Sequence, residues 1–400
     1  MHIVNINYNM QTYIERTDKE RVLEYMKIFP AVALLGPRQC GKSTLAKQIG
    51  KSIPGFIYLD LENPGDLKRI DDLQFFFEIN PDATVCLDEV RLKPDLFSEL
   101  RGIIDTNRRN GRLLLLGSAS RELVNKSSES LAGRIGYIEL TPFTIVEAEK
   151  GINNTQTRHW LRGGFPQSFL AETERQSHIW RQSYIRSYLE RDIIKGSNSI
   201  PLMTVNRLLQ MLSNNHGQLF NSSRLSDSLA ISNNTIRNYL DFFEKSFLVR
   251  TLRPYENNLS KRLTKSPRVY IRDSGLLHAV LEIESTNKLL GHPVYGPSWE
   301  GYAIENLTTL MYEWESWFYR TATGCEIDLI LTKGLKKIAF ECKATTSPSV
   351  SKGTFIALQD TGINELFVVS PVNESYKMSR NVIVGNVSHA FEYAKKIASF

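Results

Sequence analysis

The sequence predicts an α/β protein of several units, the first of them built on a parallel sheet. Two observations carry this. Apolar runs of strand length at 31–35, 83–87 and 113–116 stop respectively at a glycine, an acidic pair and a Gly-Ser step, as buried parallel strands do when ligands gather at their C-terminal ends. Far along the chain, 324–331 and 338–344 read as two further strands about a tight turn. With 400 residues, 42% apolar and 23% charged, the chain is long enough for two or three domains. Neither its 24 Gly nor its 15 Pro recur with a period, which excludes collagen-like and solenoid architectures. A net charge of +6 permits an anionic partner without requiring one. Cys40, Cys86, Cys325 and Cys342 form no C-x-x-C pair, which fits reduced thiols and a cytosolic home. The N-terminus lacks a basic and then apolar leader, and runs such as Leu113 to Leu116 are too short for a bilayer, so neither export nor membrane spanning is expected.

The first strand enters Gly36-Pro37-Arg38-Gln39-Cys40-Gly41-Lys42-Ser43-Thr44, and a helix-like stretch follows. This G-x-x-x-x-G-K-[ST] pattern is a phosphate-binding loop. Its glycines let backbone N–H groups curl around phosphate oxygens, Lys42 reaches the β- and γ-phosphates, and Ser43 ligates Mg²⁺. ATP and Mg²⁺ are therefore the expected cofactors. The second run, 83–87, delivers Asp88-Glu89: Asp88 is expected to hold the Mg²⁺ through water, and Glu89 to polarise the attacking water. The third run places Ser118 near the γ-phosphate position as a sensor, or as an ordinary strand-to-helix cap. Arg134, in Leu131-Ala132-Gly133-Arg134, is a candidate for transition-state charge in its own site or a neighbouring subunit's; the alternative is a surface arginine.

From 153 to 200 the pattern is helical and aromatic, with apolar residues at 185, 188, 189 and 193 and arginines largely on other faces, a lid or connector on the first unit. Residues 223–247 imply a short helix, a tight turn and a second helix capped by Ser232, whose first turn offers Asn233, Asn234, Thr235 and Arg237 outward. With 247–252 and 255–258 as the strands of a wing, this reads as a winged helix, a fold that serves DNA or protein contact. Between 251 and 275, Arg253, Lys261, Arg262, Lys265, Arg268 and Arg272 face only Glu256 and Asp273. With Tyr255 and Tyr270 this patch suits a phosphate backbone, or a solvated linker.

In the C-terminal third, a two-residue turn at Gly334-Leu335 sets Asp328 opposite Glu341, and Lys343 shares their face. Two carboxylates able to hold Mg²⁺ beside an ammonium suit phosphodiester chemistry; an ordinary half-exposed hairpin is the alternative. Glu300 lies on the apolar stripe of a helix with Ile304, Leu307 and Met311 and is expected to point at the same site. Glu305 falls on another face and reads as solvated.

Together these stretches, with G-G-F-P, Y-L-E-R-D-I, K-R-L-T-K-S-P-R-V-Y-I-R-D-S-G-L-L, W-E-G-Y-A-I-E-N-L, Y-R-T-A-T-G-C-E-I-D-L-I-L and F-E-C-K-A, resemble prokaryotic AAA-type ATPases with a C-terminal domain of unknown function 4143. The resemblance spans about 15–400 and implies an ASCE-type P-loop ATPase, a winged helix and a restriction-endonuclease-like fold of the PD-(D/E)xK class, onto which Glu300, Asp328, Glu341 and Lys343 map. Such proteins usually carry Gln shortly after the second acid, where this chain has Arg91, and Thr where it has Ser43. The units are expected at 1–150 (ATPase), 151–203 (connector), 204–275 (winged helix and basic linker) and 276–400 (nuclease-like). The function expected is a cytosolic ATPase coupled to a DNA-handling, nuclease-like module, with a homo-oligomer or a protein partner as further associations. Its rival is a non-cleaving, ATP-dependent switch or remodeller that binds DNA or protein.

Overall fold

A computed structural model describes residues 13–93, 95–118, 130–152, 155–189, 201–256 and 264–399. After helix α1 (Asp18–Ile28) come β1 (Ala31–Leu35), α2 (Lys42–Gly50), β2 (Phe56–Asp60), β3 (Thr84–Asp88), α3 (Leu96–Thr106), β4 (Leu113–Gly117) and β5 (Ile135–Glu139). The strands form one parallel sheet in the order β2-β3-β4-β1-β5, with Leu35 opposite both Gly117 and Glu139, and Asp60 opposite Asp88. Alternate residues of β1 serve opposite faces. Val32 and Leu34 meet Val22, Met26, Leu45 and Ile49 of α1 and α2, whereas Ala31, Ala33 and Leu35 meet Phe76 and Phe77 from a short helix and Leu96, Leu100 and Ile104 of α3. Cover on both faces is why these strands read as unbroken apolar runs.

Beyond β5 the chain passes through short helices, Ile145–Gly151, Thr155–Arg162 and Pro166–Phe169, into α4 (Glu174–Tyr188), α5 (Leu202–Asn214), α6 (Ser222–Leu229) and α7 (Asn233–Lys245). Strands β6 (Val249–Pro254) and β7 (Arg268–Ile271) and helix Ser274–Val280 follow, then α8 (Tyr295–Leu310), β8 (Glu315–Arg320), β9 (Glu326–Lys333), β10 (Lys336–Cys342), α9 (Lys352–Thr361), β11 (Leu366–Val369), β12 (Tyr376–Ser379), β13 (Val382–Gly385) and α10 (Val387–Ser399). The second sheet has the order β12-β13-β11-β10-β9-β8-β6-β7.

Two sequence expectations are corrected here. The strand antiparallel to β6 is β7, where 255–258 was expected, residues 257 and 258 lying outside the described ones; β6 also pairs in parallel with β8, Arg253 standing opposite Trp317. The boundary expected between 275 and 276 falls inside helix Ser274–Val280. The reason lies in the core. Val249, Leu252, Val269 and Ile271 belong to one apolar cluster that runs without a break from Ile145 to Ala394, so the strands are built into the C-terminal sheet. In α4 the arginines do not all face outward: Arg181 is fully buried and donates to the carbonyls of Ser177, Leu161 and Gly275. Arg191 lies outside the described residues. Among the described residues the cysteines are free, and no helix is long and apolar enough to cross a membrane.

Candidate functional site

The loop between β1 and α2 starts at the C-terminal edge of the first sheet. Gly36 packs so closely that a Cβ there would stand 2.1 Å from the Leu140 carbonyl oxygen, and Gly41 turns with φ +104°, a value that side chains disfavour. Behind the loop, the buried Arg16 donates to the carbonyls of Cys40 (2.8 Å) and Thr141 (2.6 Å) and pairs with Glu147 (2.9 Å). Burial alone would raise the Glu147 carboxyl, but Arg16 and the Thr144 and Thr17 amides hold it below its ordinary range. The loop is thus braced from a helix more than a hundred residues away. Lys42 is buried, and its Nζ donates to the carbonyls of Gly36 (3.0 Å) and Pro37 (2.8 Å). Gln39 and Thr44 are exposed, Arg38 is half-buried, and the Arg38 carbonyl accepts from Tyr184 of α4 at 3.3 Å.

Ser43 Oγ donates to Asp88 Oδ2 at 2.5 Å, so the loop hydroxyl and the strand-end acid stand together. Tyr58 donates to the same oxygen; burial and then this bond push its phenol well above its usual value, so it remains a donor. Glu89 takes a left-handed backbone (φ 56°), its N–H bonded to Asp88 Oδ1 and its carboxylate held by Arg91 Nε at 2.7 Å. Strand β4 lies between β1 and β3, which puts Ser118 beside Gly36 at the sheet edge. Arg134 does not join this group. It precedes β5 at the opposite, N-terminal edge of the parallel sheet, where its carbonyl accepts from Ala31 and its guanidinium pairs with Asp105 at 2.7 Å. A role in its own nucleotide site is excluded by strand direction.

The donor set of the loop suits a nucleotide triphosphate with Mg²⁺. The Ser43 hydroxyl and Asp88 stand together, and the Lys42 ammonium is held on the loop's own carbonyls.

A half-buried ionic seam that sequence reasoning missed joins the two sheets. Arg272, at the end of β7, bonds to Glu139 of β5 (2.5 Å) and to Glu305 of α8 (2.8 Å), and Arg250 of β6 bonds to Glu305 at 2.6 Å. Glu305 is therefore not solvated, as its helical position suggested. Burial opposes its charge, but the two guanidiniums hold its carboxyl down to about 2. Pro37 of the phosphate loop lines a cavity with Phe143, Phe165, Arg272, Asp273 and Glu305, next to this seam.

In the C-terminal sheet, Gly334 adopts φ +60° and β9 and β10 pair with Lys333 opposite Lys336 and Leu329 opposite Phe340. The paired register ends at Leu329 and Phe340, one position before Asp328 and Glu341. Asp328 Oδ2 accepts the Cys342 N–H at 2.9 Å, and Lys343 pairs with Glu341 at 2.8 Å. Glu300 of α8 joins them, but through a residue that the sequence had assigned to the basic patch. Arg268 Nη1 lies 2.8 Å from Glu300 Oε1 and 3.4 Å from Asp328 Oδ1, and its Nη2 lies 2.9 Å from Glu326 Oε2. Tyr270 donates to Glu300 Oε1 at 2.6 Å. Burial, and then the Asp328 charge, raise the carboxyls of Glu300 and Glu341 above their ordinary range. Glu300, Asp328 and Glu326 hold Arg268 firmly charged against its own burial.

Metal ligation by Asp328 and Glu341 does not fit this arrangement. A guanidinium stands among the carboxylates, and among the described residues no group of three or more His, Cys, Asp or Glu is disposed to hold a metal ion.

Helices α6 and α7 meet through a turn at Ala230 with Ser232 as N-cap, its Oγ accepting the Thr235 N–H at 3.1 Å. Asn233, Asn234 and Arg237 are exposed and Thr235 is half-buried. Lys265 is exposed and lines an open cleft of about 580 Å³ with Arg253, Tyr255 and Trp317. Lys261 and Arg262 lie outside the described residues.

Sheet order, phosphate loop and strand-end acids define an AAA-type P-loop ATPase. Residues 29–149 match the family described as an AAA domain, 153–287 a domain of unknown function (DUF8612) and 295–389 a domain of unknown function (DUF4143). The chain belongs to the family of an uncharacterized protein of Mycobacterium tuberculosis, to which it is 38% identical over 371 residues, 92% of this chain and 83% of that one. A Mycobacterium bovis protein matches with the same figures. An uncharacterized protein of Haemophilus influenzae is 22% identical over 303 residues, 68% of this chain and 73% of its own. Among solved structures, a Walker-type ATPase of Pyrococcus abyssi aligns with a TM-score of 0.48 at 16% identity, covering 68% of this chain and 97% of that one.

Proposed function

We propose that the protein is an ATP-hydrolysing switch whose nucleotide state is passed across the Arg272 seam to a DNA-binding, nuclease-like body. One observation carries the hydrolytic part: Ser43, Asp88 and Glu89 converge with Lys42 at one sheet edge. Lys42 would hold the β- and γ-phosphates, Ser43 and Asp88 the Mg²⁺, with Ser118 near the γ-phosphate. The bound Mg²⁺ would offset charge on the phosphates. Glu89 would accept a proton from the attacking water once its carboxylate is released from Arg91. Lys42→Ala is expected to abolish ATP binding. Glu89→Gln is expected to keep binding and lower turnover by about 10²-fold or more, read by equilibrium binding and phosphate release. Binding lost in Glu89→Gln, or turnover kept in Lys42→Ala, would sink the reading.

For the second body, the exposed first turn of α7 and the Arg253–Lys265 cleft with its two aromatic rings support contact with DNA. Duplex binding is expected to weaken steeply between 50 and 200 mM salt, by about tenfold or more. Arg237→Ala is expected to weaken it at every salt concentration. Salt-independent failure to retain DNA would instead favour a protein partner, and subunit exchange would be read separately by sedimentation. The place of Arg268 favours the non-cleaving form of the switch over a standing nuclease. Supercoiled plasmid with Mg²⁺ is accordingly expected to stay intact.

A further inference from the structure

Four carboxylates, those of Glu300, Glu326, Asp328 and Glu341, gather where α8, β9 and β10 meet, and Asp328 and Glu341 are almost fully buried. Such a group needs compensating charge close by. Lys343 serves Glu341 alone, and Arg320 reaches only Glu326 from the outer side. Arg268 serves the interior. Its planar fork spans Glu300, Asp328 and Glu326, and its guanidinium carbon lies 5.0 Å over the Phe318 ring. The backbone fixes it there, since Arg268 opens β7 opposite Leu252 and also bridges to Leu219.

Among the described residues, two atoms in this tight group have no partner. Arg268 Nε and Glu341 Oε2 are both buried and unbonded. The carboxylate set is thus larger than one guanidinium can satisfy, and the unmatched Glu341 oxygen belongs to a side chain only 3% exposed. A divalent cation could use these oxygens, but not beside the arginine. Like charges at such separation in a partly buried site repel strongly, and the Glu300 and Asp328 oxygens on Arg268 would be the ones required.

We propose that Arg268 is the resident counter-ion of this cluster, and that its guanidinium keeps divalent cations off these carboxylates. The inference concerns the cluster alone and is independent of ATP hydrolysis. It makes Arg268 a positioning residue: its guanidinium decides whether the acids face a fixed organic cation or an exchangeable metal.

The test is Mn²⁺ binding to the nucleotide-free full-length chain, read from the electron paramagnetic resonance signal of free Mn²⁺. Wild type and Asp328→Asn are expected to bind alike, because the wild-type cluster excludes the ion. Arg268→Gln is expected to gain one Mn²⁺ site at least about tenfold tighter than any in wild type, and the Arg268→Gln/Asp328→Asn double variant to lose it. Arg268→Lys, which keeps the charge, is expected to keep the exclusion. Wild-type binding that Asp328→Asn abolishes and Arg268→Gln leaves unchanged would overturn the proposal. So would a folded Arg268→Gln that gains no site. If Arg268→Gln does not fold, Arg268→Met, which keeps an apolar stem over Phe318 without the charge, takes its place with the same two outcomes. ATP binding measured on the same samples reports the phosphate loop separately, so failure there and failure here are told apart.

Discussion

Arg91 holds the carboxylate of Glu89 at 2.7 Å, two positions along the chain, on a residue already in a left-handed backbone. A carboxylate oxygen that accepts a guanidinium N–H must be released from it before it can take a proton from water. Arg91→Gln is expected to raise ATP turnover about tenfold with little change in ATP affinity, a split between kcat and Kd that steady-state and binding measurements resolve. Unchanged or lower turnover would show that the arginine supports the base. At this scale the sequence was informative where partners are near in the motif: Lys42, Ser43, Asp88 and Glu89 were readable from spacing. Arg16, which braces the loop by way of Glu147 131 positions away, carried no local signal. Arg134 could not be assigned from its motif, because the strand direction that puts it at the far edge of the sheet, away from its own phosphate loop, is not a local feature.

Elements were legible to the extent that they close on themselves. The β9–β10 hairpin, with its glycine-first turn, and the α6–α7 pair, with Ser232 as cap, follow the sequence reading. Strands β2 and β5 escaped it: β2 is a half-buried edge strand and β5 mixes apolar residues with Gly136 and an exposed Glu139, so neither shows the fully buried run of the inner strands. The partnership of β6 with β8 also escaped it, because it joins residues more than sixty apart. Helix α8 has a tighter constraint than its apolar stripe suggests. A Cβ on Gly301 would stand 2.2 Å from Nε2 of His216 and 3.1 Å from the Tyr270 ring, both buried. Gly301→Ala is therefore expected to cost about 1–3 kcal/mol in urea unfolding and to displace Tyr270 from Glu300. A neutral result would mean that the His216 ring has room to turn.

On the scale of the whole molecule, the Glu139–Arg272–Glu305 seam sets a pH dependence. The Glu305 carboxyl, ordinarily at 4.5, is held at about 2 in the folded chain, so its stabilisation is present above 4.5 and is lost as pH falls from there toward 2. The whole effect is on the order of 3 kcal/mol. Wild type is expected to melt higher than Glu305→Gln at pH 7, with the gap closing below pH 4.5; a gap of constant size would dissociate the seam from the acid response. Domain order along the chain was legible from its motifs, whereas the seam was not, since Glu305 looks like any helix-surface acid until β5 and β7 are brought beside it.

Because β6 and β7 are laid into the same sheet as β8, the C-terminal part is not a cassette that gene fusion can move at its sequence boundary. A transplant beginning at residue 276 would leave the β8 edge bare, with its N–H and C=O groups free to recruit a strand from another copy. It would also lack Arg268, and so would expose its buried acids without their cation. The unit that recombination can carry intact begins upstream of α5, with α6 and α7 included.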